Sequence, residues 1–110
     1  MPSKPELSRI LLKLSGEVLA NEDGFGIDTE KVAYLAQQIK PVHDSNVQIG
    51  LIIGAWNIFR GMQAAAGGMD RVTGDYLGML ATIMNAIALQ DSLEKIDCET
   101  RTLSAINVTQ

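Results

Sequence analysis

Cysteine is almost missing from this sequence: Cys98 stands alone among 110 residues. An internal disulfide is therefore excluded, and a reducing compartment is expected. Histidine is as scarce, with His43 in the polar stretch "VHDSN" as the single copy. No His/Cys/Asp cluster along the chain suggests a protein-held metal, and none is expected. "IDCET" gives Cys98 no neighbouring base, so it reads as an inert thiol and His43 as a surface residue. Positive charge is in deficit, with 9 Lys and Arg against 13 Asp and Glu and a net charge of −4. That balance argues against nucleic acid or an anionic membrane as the main partner. An anionic ligand would have to rely on local cations such as Lys13, Arg60 and Arg71. The N-terminus "MPSKPELSR" has no apolar signal region, and no apolar run approaches membrane-spanning length, so a soluble, cytoplasmic protein is expected. Neither G-x-x-x-x-G-K-[ST] nor G-x-G-x-x-G occurs, and a P-loop or dinucleotide-binding fold lacks support from motif.

What is present is patterned like part of an α/β domain. The composition, 46% hydrophobic and 20% charged, allows a modest core in one small domain or a piece of a larger one. Residues 1–8 are polar with two prolines and read as a flexible entry. "RILLKLS" (9–15) reads as a buried strand, followed by a glycine-punctuated loop over 16–28. Asp28 is a good N-cap with Glu30 in the first turn. Val32, Leu35, Ala36, Ile39 and Val42 then form one helical stripe, which Pro41 should stop or kink. "NVQIGLII" (46–53) is a second buried strand, so strand, helix and strand make a βαβ unit with a parallel pair. From about 70 to 95 the pattern is helical, with apolar positions wrapping widely enough to predict burial on most sides. Its methionines read as core filling. "TRTLSAI" (100–106) reads as a third strand.

The chemistry concentrates at the carboxyl ends of the two strands, where open α/β folds bind ligands. Lys13 either protrudes to solvent from an edge strand or neutralises phosphate, with Ser15 donating a hydrogen bond and Gly16 letting the backbone approach. After the second strand comes "GAWNIFRG" (54–61). Asn57 is a plausible N-cap there, and Arg60 beside a helix start is either an anion site or a solvated cation. Asp75 lies between Gly74 and Gly78. Two glycines in a helix cost about 1 kcal/mol each relative to alanine, and close approach of a ligand or another helix would explain them. Asp75 could then accept from a hydroxyl.

"RILLKLSGE", "DGFGID", "IIGAWNIFRG" and "GMDRVTGDYLGMLATIMNAIALQDSLEK", in that order, resemble the N-terminal part of the bacterial uridylate kinases of the amino-acid kinase family. The likeness runs from about residue 9 to 106, and the long helical segment is its most specific part. The resemblance implies a three-layer α/β sandwich with a mainly parallel sheet, here truncated after about three strands. It implies transfer of the γ-phosphoryl group of ATP to UMP, with Mg²⁺ carried on the phosphates and not held by this part of the chain, in a homohexamer. By matching motif, Lys13, Leu14, Ser15, Gly16, Trp56 and Arg60 fall at ATP-phosphate contacts, and Lys13 and Arg60 would offset charge in the transition state. Gly54, Ala55 and Asp75 fall at UMP contacts. The loop Asn21, Glu22, Asp23, Gly24, Phe25 and Gly26 matches the segment linked to allosteric activation by GTP.

Two departures from the family pattern stand out. Ala55 and Trp56 replace two of a run of glycines. Glycine there lets backbone wrap phosphate with φ > 0, which Ala and Trp tolerate poorly, and an indole should occupy phosphate space unless it anchors a surface. The family chain is also much longer, and its second half supplies the base pocket, further UMP contacts and a catalytic aspartate. Residues 9–110 therefore read as the UMP-binding and dimerisation part, without the ATP-binding half. Three functions follow: a uridylate kinase inactive as this fragment, a non-catalytic relative acting only in subunit association, or a nucleotide-binding module of other function.

Overall fold

The structure, a computed structural model, describes residues 8–59 and 67–103. Strand β1 (Arg9–Leu14) leads through a short 3₁₀ turn (Gly16–Leu19) and a loop to helix α1 (Thr29–Asp44), strand β2 (Gln48–Ile53) and helix α2 (Arg71–Glu94). β1 and β2 pair in parallel, in register from Arg9↔Gln48 to Leu14↔Ile53. This is the βαβ unit that the hydrophobic pattern predicts. Asp28 caps α1 as expected, its Oδ1 accepting from the N–H groups of Glu30 at 2.9 Å and Lys31 at 3.4 Å. Pro41 does not stop the helix, which runs on to Asp44. Chain reversal comes instead at Asn46, whose φ of +66° lets the backbone turn out of the last helical turn.

Among the described residues, one face of the sheet is covered and the other is open. Leu14, Ile49, Leu51 and Ile53 pack into a core with Leu19, Val32, Ala36, Ile39, Leu89 and Leu93. The alternate residues Leu11, Lys13 and Ile52 are exposed, Leu11 by 65% and Ile52 by 50%. The expectation of two fully buried strands therefore fails on one face, because the two helices among the described residues pack on the other. Only that covered face follows the rule that parallel strands are shielded.

Helix α2 is likewise buried on one side only. Gly74, Ala81, Asn85, Leu89 and Leu93 face the domain. Val72, Tyr76, Met79, Leu80, Met84 and Ile87 are exposed on the opposite face. The wide apolar wrap predicted burial on most sides, but the sheet reaches just one of them. By length and composition alone α2 could span a membrane, although no uninterrupted apolar run in the sequence is that long. Residues 100–103 form no strand; Gln90 Nε2 donates to the Thr100 carbonyl at 3.1 Å and holds them beside α2. Residues 104–106 of the expected third strand lie outside the described residues.

Candidate functional site

Both strands end at the same edge, and the loops leaving them interlock. The Gly54 N–H donates to the Leu14 carbonyl at 2.9 Å, extending the ladder one step past the strands. Ser15 caps the 3₁₀ turn, its Oγ accepting from the Glu17 N–H at 3.3 Å. Gly16 is buried where the loops cross. A Cβ on it would lie 2.3 Å from Asn57 Oδ1, 2.8 Å from the Gly54 carbonyl and 3.0 Å from the Trp56 nitrogen. Here glycine is required by space and not by its dihedral freedom.

At the centre of this crossing lies a polar pair that the sequence does not announce. Asn57 and Asn85 are both fully buried. Asn85 Nδ2 donates to Asn57 Oδ1 at 2.8 Å, and Asn57 Nδ2 returns a bond to Asn85 Oδ1 at 3.1 Å. The same amides reach outward, Asn85 Nδ2 to the Gly54 carbonyl at 2.7 Å and Asn57 Nδ2 to the Gly26 carbonyl at 2.8 Å. Buried amides are retained when their hydrogen-bonding groups find partners, and these do. The Asn57 side chain clamps the loop after β2 onto α2 and onto the 21–26 loop, and the helix start it is expected to cap runs into residues outside those described. The one signal of Asn85 in the sequence is a lone amide inside the apolar run "IMNAIAL".

The 21–26 loop is tightly wound. Asn21 Nδ2 donates to the Phe25 carbonyl at 2.8 Å, and Asp23 Oδ1 accepts from the Phe25 N–H at 3.0 Å. Gly24 and Gly26 have φ of +88° and +76°, values that favour glycine. The Gly26 N–H donates to the Asn57 carbonyl at 2.8 Å, completing a two-bond bridge between this loop and the β2 loop. Glu22 is exposed in the same turn.

Leu14, Ser15, Gly16, Gly54, Ala55 and Trp56 are thus brought to one edge, with Lys13 exposed on the open sheet face one residue before β1 ends. Ala55 and Trp56 adopt ordinary negative φ, since Asn46 and Asp97 are the non-glycine residues with positive values among those described. The backbone objection to these two residues therefore falls, and the size of the indole, 42% exposed, is what remains. Asp75 stands apart. It is exposed, paired with Arg71 at 3.6 Å, and about 15 Å along α2 from Asn85 at 1.5 Å per residue. Gly78 does not need to be glycine for packing, since its nearest neighbour would be Phe59 Cδ1 at 4.0 Å. Arg60 lies outside the described residues. A cavity of about 850 Å³ follows β2 at the far side of the domain, lined by Ile49, Leu51, Leu89, Leu93 and Cys98 and by none of the residues expected to hold nucleotide.

Comparison with known proteins gives this edge a lineage. The chain is 50% identical over 107 residues to a uridylate kinase of Dichelobacter nodosus, covering 97% of this chain and 44% of that relative. It is 53% identical over 106 residues to one of Erythrobacter litoralis, covering 96% of this chain and again 44% of the relative. The chain thus spans less than half the length of these curated relatives. Its structure superposes on that of UMP kinase from Bacillus anthracis with a TM-score of 0.73 at 36% identity, over 80% of this chain and 36% of that one. UMP kinase from Ureaplasma parvum gives 0.74 at 36% identity, over 84% and 40%. Residues 8–110 match the amino acid kinase family, and with a truncated α/β architecture in agreement the chain belongs to that family.

Proposed function

We propose that this chain supplies the phosphate-gripping edge of a uridylate kinase, which moves the γ-phosphoryl group of ATP to UMP. The observation that carries this reading is the crossing of the Ser15–Gly16 and Gly54–Asn57 loops at the carboxyl ends of two parallel strands, in a chain 50% identical to a uridylate kinase. Phosphoryl transfer asks a protein chiefly for positioning and charge compensation. In this reading Ser15 and the backbone at Leu14 and Gly16 bind ATP phosphates together with position 56. Gly54, Ala55 and Asp75 bind UMP, and Lys13 and Arg60 offset developing charge. Backbone N–H donors and cationic side chains do not suit a metal ion, so Mg²⁺ enters on the ATP phosphates and is not ligated by this edge. Residues 21–26 receive GTP as effector, a role consistent with their bridge to Asn57. The setting is cytoplasmic.

The test joins residues 1–110 to the C-terminal part of the Dichelobacter nodosus relative. The chimera is expected to form UDP from UMP and ATP, and the 110-residue chain alone to form none. Returning Ala55 and Trp56 to glycine should tighten nucleotide binding about tenfold, equivalent to about 1.4 kcal/mol, by clearing the indole from phosphate space. A folded chimera that binds neither nucleotide by calorimetry, reverted or not, would overturn the reading.

The exposed face of α2 favours a second role, subunit association. Val72, Tyr76, Met79, Leu80, Met84 and Ile87 make a continuous apolar stripe, of the kind that marks an interface. The family hexamer would use such a stripe whether or not catalysis survives. Sedimentation should show the chain as oligomers, and the double change Met84→Lys, Ile87→Lys should yield smaller species. A wild-type monomer would remove this role.

A further inference from the structure

The remaining chemistry lies at the opposite edge of the sheet, where the two helices end. We propose that His43, Asp44 and Cys98 form a binding site for a borderline divalent cation of the zinc class.

His43 and Asp44 are neighbours in the sequence and Cys98 is far from both, and the fold brings an imidazole nitrogen, a carboxylate oxygen and the Cys98 sulfur within 4.8 Å of one another. The chain turns that deliver them are well defined. His43 and Asp44 sit in the last turn of α1, and the Asn46 N–H donates to the His43 carbonyl at 3.1 Å. Cys98 follows the end of α2. Asp97 turns the chain with φ of +64°, and the Cys98 N–H donates back to the Leu93 carbonyl at 2.9 Å. Two helix C-termini therefore converge, and each carries the negative end of its dipole, which favours a cation. Lys40 is already drawn there. Its Nζ donates to the Ile96 carbonyl at 2.7 Å and lies 3.4 Å from Asp44 Oδ2, tying the two helix ends together.

The donor set and spacing suit zinc better than a hard ion. His43 Nδ1 lies 3.2 Å from Asp44 Oδ1. A tetrahedral ion with Zn–N and Zn–O bonds of about 2.0–2.2 Å holds two such ligands about 3.3 Å apart, so one edge of the polyhedron is nearly set. Thiolate and imidazole select zinc-like ions, whereas magnesium and calcium take oxygen ligands. The cysteine must approach by roughly 1 Å to reach a Zn–S bond of about 2.3 Å. Its side chain lines the cavity beside β2 together with His43, so there is room to turn. On binding, the Cys98 thiol would release its proton to solvent, and His43 would contribute a neutral ring. Two protein nitrogen or oxygen ligands and one sulfur leave a fourth position for water. The site stands about 20 Å from the phosphate edge, one six-residue strand away at about 3.3 Å per residue, and it does not depend on the kinase reading.

Cobalt(II) is the probe, because its spectrum reports both thiolate ligation and coordination number. Titrating the 110-residue chain should give a thiolate-to-cobalt charge-transfer band and tetrahedral visible bands, saturating at one ion per chain and bleached by zinc. Cys98→Ser should abolish the charge-transfer band. His43→Gln and Asp44→Asn, both at exposed positions, should each weaken binding roughly tenfold or more. Asp97→Asn, which removes a neighbouring charge but no ligand, should leave the titration unchanged. Circular dichroism of each variant separates lost binding from lost folding. The proposal falls if cobalt gives only weak octahedral bands, if His43→Gln leaves the affinity unaltered, or if urea-unfolded chain gives the same spectrum.

Discussion

Gly16→Ala should destabilise the domain by about 2–4 kcal/mol, combining overpacking with a disturbed buried hydrogen-bond pair. The added methyl carbon has nowhere to go. It would stand 2.3 Å from Asn57 Oδ1 and 2.8 Å from the Gly54 carbonyl, well inside van der Waals contact. The carbonyl is backbone and is held by Asn85 at 2.7 Å. Asn57 is fully buried and committed to Asn85 and Gly26, so its amide cannot rotate away without leaving polar atoms unpaired. Gly54 makes the contrast. Its Cβ would find Gly16 N at 3.4 Å and the Leu14 carbonyl at 3.8 Å, so Gly54→Ala should cost far less. Urea unfolding followed by circular dichroism checks both: the Gly16→Ala midpoint should fall sharply while that of Gly54→Ala stays near wild type. Equal midpoints for Gly16→Ala and wild type would mean that the two loops do not cross as closely as described.

Asn85→Leu is expected to cost a similar amount, about 2–4 kcal/mol, for a different reason. Leucine is close in volume, so no large cavity opens. What is lost is the donor to the Gly54 carbonyl and to Asn57 Oδ1, and the acceptor for Asn57 Nδ2. Each buried group left without a partner costs about 1–3 kcal/mol. Asn85→Asp should be worse still, because it turns an oxygen toward two acceptors and buries a charge. The decisive measurement is a double-mutant cycle. Once Asn85 is leucine, Asn57→Leu removes a group already partly orphaned and should add little, giving a coupling of at least about 1 kcal/mol. Strict additivity would show that the two amides do not act as a unit.

The same pair also joins the loops at the carboxyl ends of the strands. Asn57 bridges the 21–26 loop to the loop after β2 through two hydrogen bonds with Gly26, each 2.8 Å. Both glycines with positive φ in the 21–26 loop set its shape locally, while Asn57 fixes where that shape is presented.

The sequence by itself determined the β1–α1–β2 unit, the Asp28 cap, the extent of α2 and the strand edge that gathers Ser15, Gly16, Gly54, Ala55 and Trp56. Each of these rests on short-range physics: alternation, helical spacing, a capping carboxylate and glycine at a turn. The family was legible as well, because its signature is carried by contiguous segments. Tertiary structure decided the rest. Whether Leu11 and Ile52 are buried depends on what packs on their face, which a hydrophobic run does not specify. Asn57 and Asn85 look like unrelated amides until α2 lies across the β2 loop. His43, Asp44 and Cys98 become neighbours because two helices end side by side. Ala55 and Trp56 are tolerated because the loop follows a path with negative φ. For the two amides and for the His43, Asp44 and Cys98 group the deciding contact joins residues distant in the chain, and distance along the chain is not written in local periodicity.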